Sequence, residues 1–270
     1  NLHSGTTGAP KASIIKHIRF YIAGSGFARI YGVHEGDRIY CALPLYHSAG
    51  GMIGVGLSWY TGGTLVFRKK FSASRFWEDV RATNCTVIQY IGELCRFLLA
   101  TPESPLDGKS KYVCCSHSSQ NANSIQIAHV TDVRVPNGNR VRLAIGNGLR
   151  KDVWIPFQKR FKIPDIGEFY AATEGNASLF NYRNRAGAVG YIPPLIGRLY
   201  PVKIVKFDIE TEQPVRGPDG FCITCAPDEP GELIGKIESD DPSRVFDVCD
   251  HDLSHSHYSL ARSFLDCLLG

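Results

Sequence analysis

The sequence predicts an α/β fold, a layered sheet covered by helices, with a β-rich subdomain towards the C-terminus. Three observations carry this expectation. Short apolar runs of strand length recur with amphipathic helical patterns between them, the alternation that builds a parallel sheet covered on both faces. After roughly Gly187 the texture changes to strands punctuated by proline and glycine, such as Val202 to Phe207 and Gly220 to Cys225. The composition is globular: 270 residues, 43% hydrophobic and 21% charged, enough apolar material for a large core.

Each element has its own warrant. Ile39 to Leu43 is a continuous apolar run suited to a strand buried on both faces, and Thr64 to Phe67 is another. Between them a Gly-rich helix is expected over about Ala49 to Tyr60, closed by the Gly62-Gly63 turn. Ser72 stands where a cap belongs, before a helix over Ala73 to Ala82. Cys85 to Tyr90 reads as strand, Gly92 to Ala100 as helix, Val141 to Ile145 as strand and Asp152 to Phe161 as helix. Ile166 to Tyr170 is a further strand that leads directly into A-A-T-E-G-N. Residues 110–139 are polar and weakly periodic, an insertion too long for a plain loop in a compact domain. A helix over Ser259 to Leu269 is possible at the end of the chain.

Charge and cysteine usage narrow the function. Thirty basic and 26 acidic residues leave a net charge of +4, too mild and too evenly spread for a nucleic-acid partner. Nine cysteines, with no signal-peptide pattern before them, read as reduced thiols in a cytosol-facing protein. Cys222 and Cys225 form the one C-x-x-C, but at strand spacing three their side chains take opposite faces, which favours packed thiols over zinc. Cys249, His251, His255 and His257 match no standard metal-site spacing. The stretch from Arg38 to Arg68 holds no charged residue between its ends, yet Pro44, His47, Ser48 and the glycine pair interrupt it as a membrane span. With Met52 as its only methionine, the chain reads as a piece of a longer frame.

The chemistry concentrates in a few segments. His3-Ser4-Gly5-Thr6-Thr7-Gly8-Ala9-Pro10-Lys11 is dense in glycine and hydroxyls and closed by a lysine, a loop able to wrap anionic oxygens. It is no Walker A loop, because Lys11 lies between Pro10 and Ala12. It resembles instead the phosphate loop S-G-T-T-G-x-P-K of the adenylate-forming superfamily of acyl-CoA synthetases. Three further motifs follow in order: L-P-L-Y-H-S-A-G (Leu43 to Gly50), similar to the aromatic-His motif beside the acyl pocket; G-N-G-L-R (Gly146 to Arg150), similar to the adenine-binding segment; and E-F-Y-A-A-T-E-G-N (Glu168 to Asn176), similar to the aromatic-x-x-T-E motif. F-S-A-S-R-F-W, V-I-Q-Y-I-G-E-L-C-R and R-L-A-I-G-N-G-L-R resemble the very long-chain acyl-CoA synthetase / fatty acid transport protein family in particular.

The resemblance implies a partial adenylate-forming N-terminal domain and a fatty acid–CoA ligase that uses ATP, Mg²⁺ and coenzyme A. It implies that Ser4, Gly5, Thr6, Thr7, Gly8 and Lys11 hold the ATP phosphates. Thr173 would touch the α-phosphate, Glu174 would bind Mg²⁺, Tyr170 would stack near adenine, and Gly146, Asn147 and Gly148 would approach the base. His47 would gate the acyl or nucleotide pocket. Lys11, Glu174, Thr173 and His47 are thereby the expected catalytic residues. The uncharged run after His47, Gly54 and Gly56 included, is a candidate lining for the alkyl chain of a long-chain fatty acid.

The expected organisation is an α/β domain over 1–190, interrupted by 110–139, a β-rich subdomain of the same domain over 191–247, and a tail over 248–270 that leaves the family pattern after R-V-F-D. The family's ribose-binding T-G-D motif and C-terminal lysine domain do not follow. The alternative is accordingly an inactive piece that binds nucleotide or fatty acid. By the same resemblance the parent protein is membrane-associated and cytosol-facing, at the endoplasmic reticulum, plasma membrane or peroxisome.

Overall fold

A computed structural model describes residues 2–3, 11–12, 15–107, 126–129, 140–171, 177–193, 200–226, 229–237 and 258–261. The chain divides into two compact units. One comprises Arg19–Glu168 with Tyr182–Gly187; the other comprises Asn1–Ile18, Phe169–Asn181 and Ala188–Gly270.

The first unit is built on parallel strands β3 (Arg38–Cys41), β4 (Thr64–Phe67), β5 (Val87–Ile91), β6 (Gln126–His129), β7 (Leu143–Asn147) and β8 (Asp165–Ala171). They run in the order β6-β4-β3-β5-β7-β8, every neighbouring pair parallel. Ile39, Tyr40, Val66, Val87, Ile88 and Ala144 are wholly buried, as near-continuous apolar runs require when both faces of a sheet are covered. Helices α1 (His17–Tyr31), α2 (Gly56–Thr61), α3 (Ala73–Ala82), α4 (Gly92–Leu99) and α5 (Lys151–Phe161) accompany the strands. Between α3 and α5 lies an aromatic layer: Trp77 and Phe161 have ring centroids 4.3 Å apart, and Phe157 and Phe161 5.0 Å. None of the described helices is long and apolar enough to cross a membrane.

Several elements differ from the sequence pattern. Helix α1 is not announced by periodicity, because Gly24 and Gly26 interrupt it. Gly24 has a packing reason: a Cβ there would overlap the Gly56 carbonyl, so the two glycines let α1 and α2 cross closely. The expected Gly-rich helix is split into a π-helix (Ala49–Val55) and α2. Its glycines face protein: a Cβ on Gly50 would meet the Pro44 carbonyl, one on Gly51 the Leu45 carbonyl, and one on Gly54 the Gln89 side chain at 2.6 Å. Gly56 takes part in the helix crossing with Gly24. Ser72 occupies the cap position without capping; its hydroxyl pairs with that of Ser74 at 3.2 Å. Within the polar insertion, residues 126–129 add β6 to the otherwise open edge of β4.

The amino ends of the strands are tied by a buried charge cluster. Asp37, 1% exposed, accepts from the Thr86 hydroxyl at 2.7 Å, the His34 amide at 3.0 Å and Arg142 Nε at 3.0 Å, with a second bond from the Arg142 guanidinium. These residues precede β3, β5 and β7, so one carboxylate registers three strands.

The second unit is antiparallel. β1 (Leu2–His3) pairs with β2 (Lys11–Ala12), β11 (Phe207–Asp208) with β12 (Gln213–Pro214), and β10 (Val202–Val205), β13 (Glu232–Lys236) and β14 (Tyr258–Ala261) form a three-stranded sheet. β9 (Ser178–Asn181) contributes Leu179 to a small core with Ala177, Val202 and Leu233. Gly220 to Cys225 is not the expected strand: it holds two isolated bridges, Arg216↔Cys222 and Val205↔Thr224, around a turn with Gly220 at φ +79°. Tyr258 to Ala261 is strand where a helix was possible, because β13 offers its edge to a short run with aromatic and apolar residues at alternate positions.

The described cysteines are free thiols, Cys41, Cys85 and Cys95 buried and Cys222 and Cys225 half-buried. Burial pushes Cys41 up to about 11 and Cys85 to about 12, which marks both as packing groups rather than nucleophiles.

Candidate active site

Because the strands of the first unit are parallel, their carboxyl ends share one edge, the place where open α/β sheets bind ligands. From it leave the segment after β3, the β5–α4 junction and the β7–α5 turn.

The last of these, Gly146 to Leu149, is shaped from within. Gly146 is buried, and a Cβ on it would overlap the Tyr90 carbonyl and ring; the close approach its missing side chain permits is to Tyr90. Gly148 sits at φ +75°, a left-handed conformation that favours glycine. A Cβ on it would meet the Gly92 amide nitrogen at 3.9 Å, an ordinary van der Waals contact. Gly92, the first residue of α4, has no room for a Cβ because the Gly148 carbonyl occupies it. Asn147 and Gly148 are exposed, and so is Ile91, which pairs with Asn147 across β5 and β7.

Beneath this turn lies Glu168, a residue to which the sequence reading assigned no separate role. It is 3% exposed. The Tyr90 hydroxyl donates to its Oε2 at 2.6 Å, the Leu149 amide donates to its Oε1 at 3.1 Å, and the Gly148 amide is a further donor. Its backbone carbonyl accepts from the Tyr31 hydroxyl at 2.8 Å. Burial pushes the carboxyl up to about 7, against the pull of these donors. A signal for it existed: an acid in the middle of a predicted buried strand needs internal donors.

His47 is exposed, not a core histidine. Its Nδ1 accepts from the Ala49 amide at 3.2 Å, and its carbonyl accepts from the Gly51 amide at 2.8 Å, where the π-helix begins. It stands six residues after the end of β3, and β5 lies between β3 and β7 in the sheet. Gln89 anchors the same π-helix through its Nε2, which donates to the Ala49 carbonyl at 2.8 Å.

In the second unit, Tyr170 is half-buried and packs against the cluster of Ala177, Leu179, Val202 and Leu233. Lys11 lies opposite His3 in the β1–β2 ladder. Ser4, Gly5, Thr6, Thr7 and Gly8, together with Thr173 and Glu174, lie outside the described residues, as do Cys249, His251 and His255 and His257. Among the described residues, no cluster of three or more His, Cys, Asp and Glu side chains could hold a metal ion.

The helix-covered α/β sheet matches in fold the N-terminal domains of adenylate-forming enzymes. Residues 4–236 match the model of the AMP-binding enzyme family, and the chain belongs to that family. It is 44% identical over 244 residues to long-chain fatty acid transport protein 1 of Mus musculus, an alignment covering 90% of this chain and 33% of that protein. It is 42% identical over 234 residues to long-chain fatty acid transport protein 2 of Rattus norvegicus, covering 87% and 33%. The chain thus spans about a third of the length of the curated relatives it matches. In fold it is similar to the o-succinylbenzoate coenzyme A synthetase of Bacillus subtilis solved in complex with ATP and magnesium ion, with a TM-score of 0.61 and 18% identity over 96% of this chain and 45% of that one.

Proposed function

We propose that the protein containing this chain is a fatty acid–CoA ligase of the fatty acid transport type, and that this chain supplies its nucleotide-binding face. The reading has the protein activate long- or very long-chain fatty acids with ATP and pass the acyl group to coenzyme A, coupled to fatty acid uptake at a cytosol-facing membrane. The observation that carries it is the Gly146–Leu149 turn: an exposed left-handed glycine, flanked by the exposed Asn147 and Ile91, at the carboxyl edge of a parallel sheet. A planar base can approach such a backbone closely, with Asn147 as its polar reader.

In this reading Thr6, Thr7 and Lys11 hold the β- and γ-phosphates, Thr173 touches the α-phosphate, and Glu174 holds Mg²⁺, a hard cation that seeks carboxylate oxygen. When bound, the ion neutralises phosphate charge. The fatty acid carboxylate is ionised at neutral pH, so its attack on the α-phosphorus needs no general base. The bond from the α-phosphorus to the bridging oxygen breaks and pyrophosphate leaves; the thiolate of coenzyme A then attacks the acyl carbon and AMP departs. Catalysis rests on positioning and on stabilising phosphate charge. His47, exposed where the π-helix starts, is the proposed gate.

The test is pyrophosphate release from oleate, ATP and Mg²⁺, with Lys11→Ala and Glu174→Ala beside the unmodified chain. Release that falls about a hundredfold or more in both variants is the expected result, the scale for losing one charge-stabilising group. Absence of release from every form, with fatty acid still bound, would remove catalysis from this chain and leave a binding module.

A further inference from the structure

We propose that Glu168 is a positioning residue for the nucleotide-facing turn, holding the Gly148–Leu149 backbone from beneath so that Asn147 and Gly148 are presented outward in one fixed arrangement. This inference rests on the reading of Gly146–Leu149 as a base-binding turn.

The turn is gripped at each of its residues except the one that faces out. Tyr90 fills the space beside Gly146 with its ring and carbonyl, and the same side chain donates its hydroxyl to Glu168 Oε2 at 2.6 Å. Glu168 Oε1 takes the Leu149 amide at 3.1 Å. The Gly148 carbonyl lies against Gly92, where no Cβ fits. Asn147 and Gly148 are the exposed residues of the turn. Tyr31 supports the arrangement one layer further in: a Cβ on Gly167 would overlap its ring, and its hydroxyl holds the Glu168 carbonyl at 2.8 Å. A buried carboxyl whose two oxygens are split between a tyrosine on β5 and the backbone of the β7–α5 turn couples two adjacent strand ends. Such a shared acceptor fixes the orientation of both.

Ionisation strengthens the acceptor, since hydrogen bonds to a charged oxygen are shorter and stronger than to a neutral one. The titratable groups facing the carboxyl are Tyr31 on α1, Tyr90 on β5 and Cys95 on α4, and burial pushes each above its ordinary range. These three stay protonated while Glu168 changes charge.

The experiment follows the 270-residue chain and its Glu168→Ala, Glu168→Gln and Tyr90→Phe variants by two readouts. The first is exchange of the Leu149 amide by NMR without ligand, relative to amides in β3 and β5, from pH 6 to 8 after correction for intrinsic exchange. Glu168→Ala is expected to speed Leu149 exchange about tenfold while β3 and β5 stay protected. Glu168→Gln, which keeps an acceptor oxygen, is expected to restore most of the protection but to lose its rise with pH. Tyr90→Phe, which keeps the ring beside Gly146 and removes only the hydroxyl, is expected to shift the turn in the same direction by a smaller factor. Unchanged Leu149 exchange in Glu168→Ala and in Tyr90→Phe overturns the proposal, and so does exchange that rises equally at every strand. The second readout is affinity for ATP and Mg²⁺, expected to fall about tenfold in Glu168→Ala and to recover in Glu168→Gln. A chain whose turn responds as described but which binds no ATP would overturn the nucleotide reading and leave the positioning role of Glu168 standing.

Discussion

Asp37→Ala is expected to destabilise the chain by about 3 kcal/mol or more and to lower its melting temperature by roughly 10 °C, the scale for breaking one partner out of a buried ion pair. The carboxylate is almost fully enclosed, and its removal takes an acceptor from Arg142, the Thr86 hydroxyl and the His34 amide together, leaving Arg142 its bond to the Gly32 carbonyl at 2.7 Å. The pH dependence has a definite sign. Burial acts to raise the Asp37 carboxyl, but Arg142, Thr86 and His34 outweigh it and hold the group below its usual range. A depressed carboxyl contributes stability that is present above its unfolded value and lost as pH falls through its folded value. Wild type should therefore lose stability on acidification below about pH 4, and Asp37→Asn should lose the component of that slope due to this site. Denaturant melts of both proteins from pH 2 to 7 check this; parallel curves would contradict it.

Gly92→Ala is the second large effect. A methyl group there collides with the carbonyl of Gly148, backbone against backbone, so neither side can yield by rotating a side chain. Overpacking of this kind costs about 1–3 kcal/mol in ordinary cores and more where nothing flexible can move. The β5–α4 junction and the β7–α5 turn must separate, and the expected outcome is a destabilisation of about 3 kcal/mol with ATP affinity lost in parallel. Gly148→Ala is the informative comparison. A methyl group there meets Gly92 at an ordinary 3.9 Å but sits on a left-handed backbone, so its cost is strain of about 1 kcal/mol. Thermal melts and ATP titrations on the two variants check the ranking, and equal effects would contradict it.

The two ends of the sheet thus differ in chemical character. At the amino ends a salt-bridged acid registers three strands. At the carboxyl ends Glu168 accepts from the Tyr90 hydroxyl and the Leu149 amide beneath a turn whose Asn147 and Gly148 are exposed.

Much of the sheet was legible because a parallel strand buried on both faces must be apolar at every position, as in Ile39 to Leu43 and Thr64 to Phe67. The four ordered motifs gave the family, and G-N-G-L-R marked the turn. Other features were not legible because their cause lies elsewhere in the chain. Gly24 and Gly26 hide α1, although Gly24 exists for a crossing with Gly56, thirty-two positions away. The glycines after His47 suggested an open lining, whereas Gly50, Gly51 and Gly54 each abut a carbonyl or amide of a neighbouring segment. Residues 126–129 and 258–261 carry weak patterns of their own and become strands because β4 and β13 offer unpaired edges. Gly146 pointed to a base, but the group it accommodates is Tyr90. Glu168 was written in the motif, yet its role depends on Tyr90 and Leu149, which no spacing connects to it.

The central claim is that the carboxyl edge of the parallel sheet is a nucleotide site. Hydrogen exchange of the whole chain, read peptide by peptide with and without ATP and Mg²⁺, tests it most directly. The claim predicts slowed exchange over the Gly146–Leu149 turn, the Ile91–Gly92 junction, the segment 4–11 and the segment 170–176, with the amino ends of the strands unchanged. Nucleotide-dependent protection confined to other segments, with the turn at Asn147 and Gly148 unaffected, would contradict it.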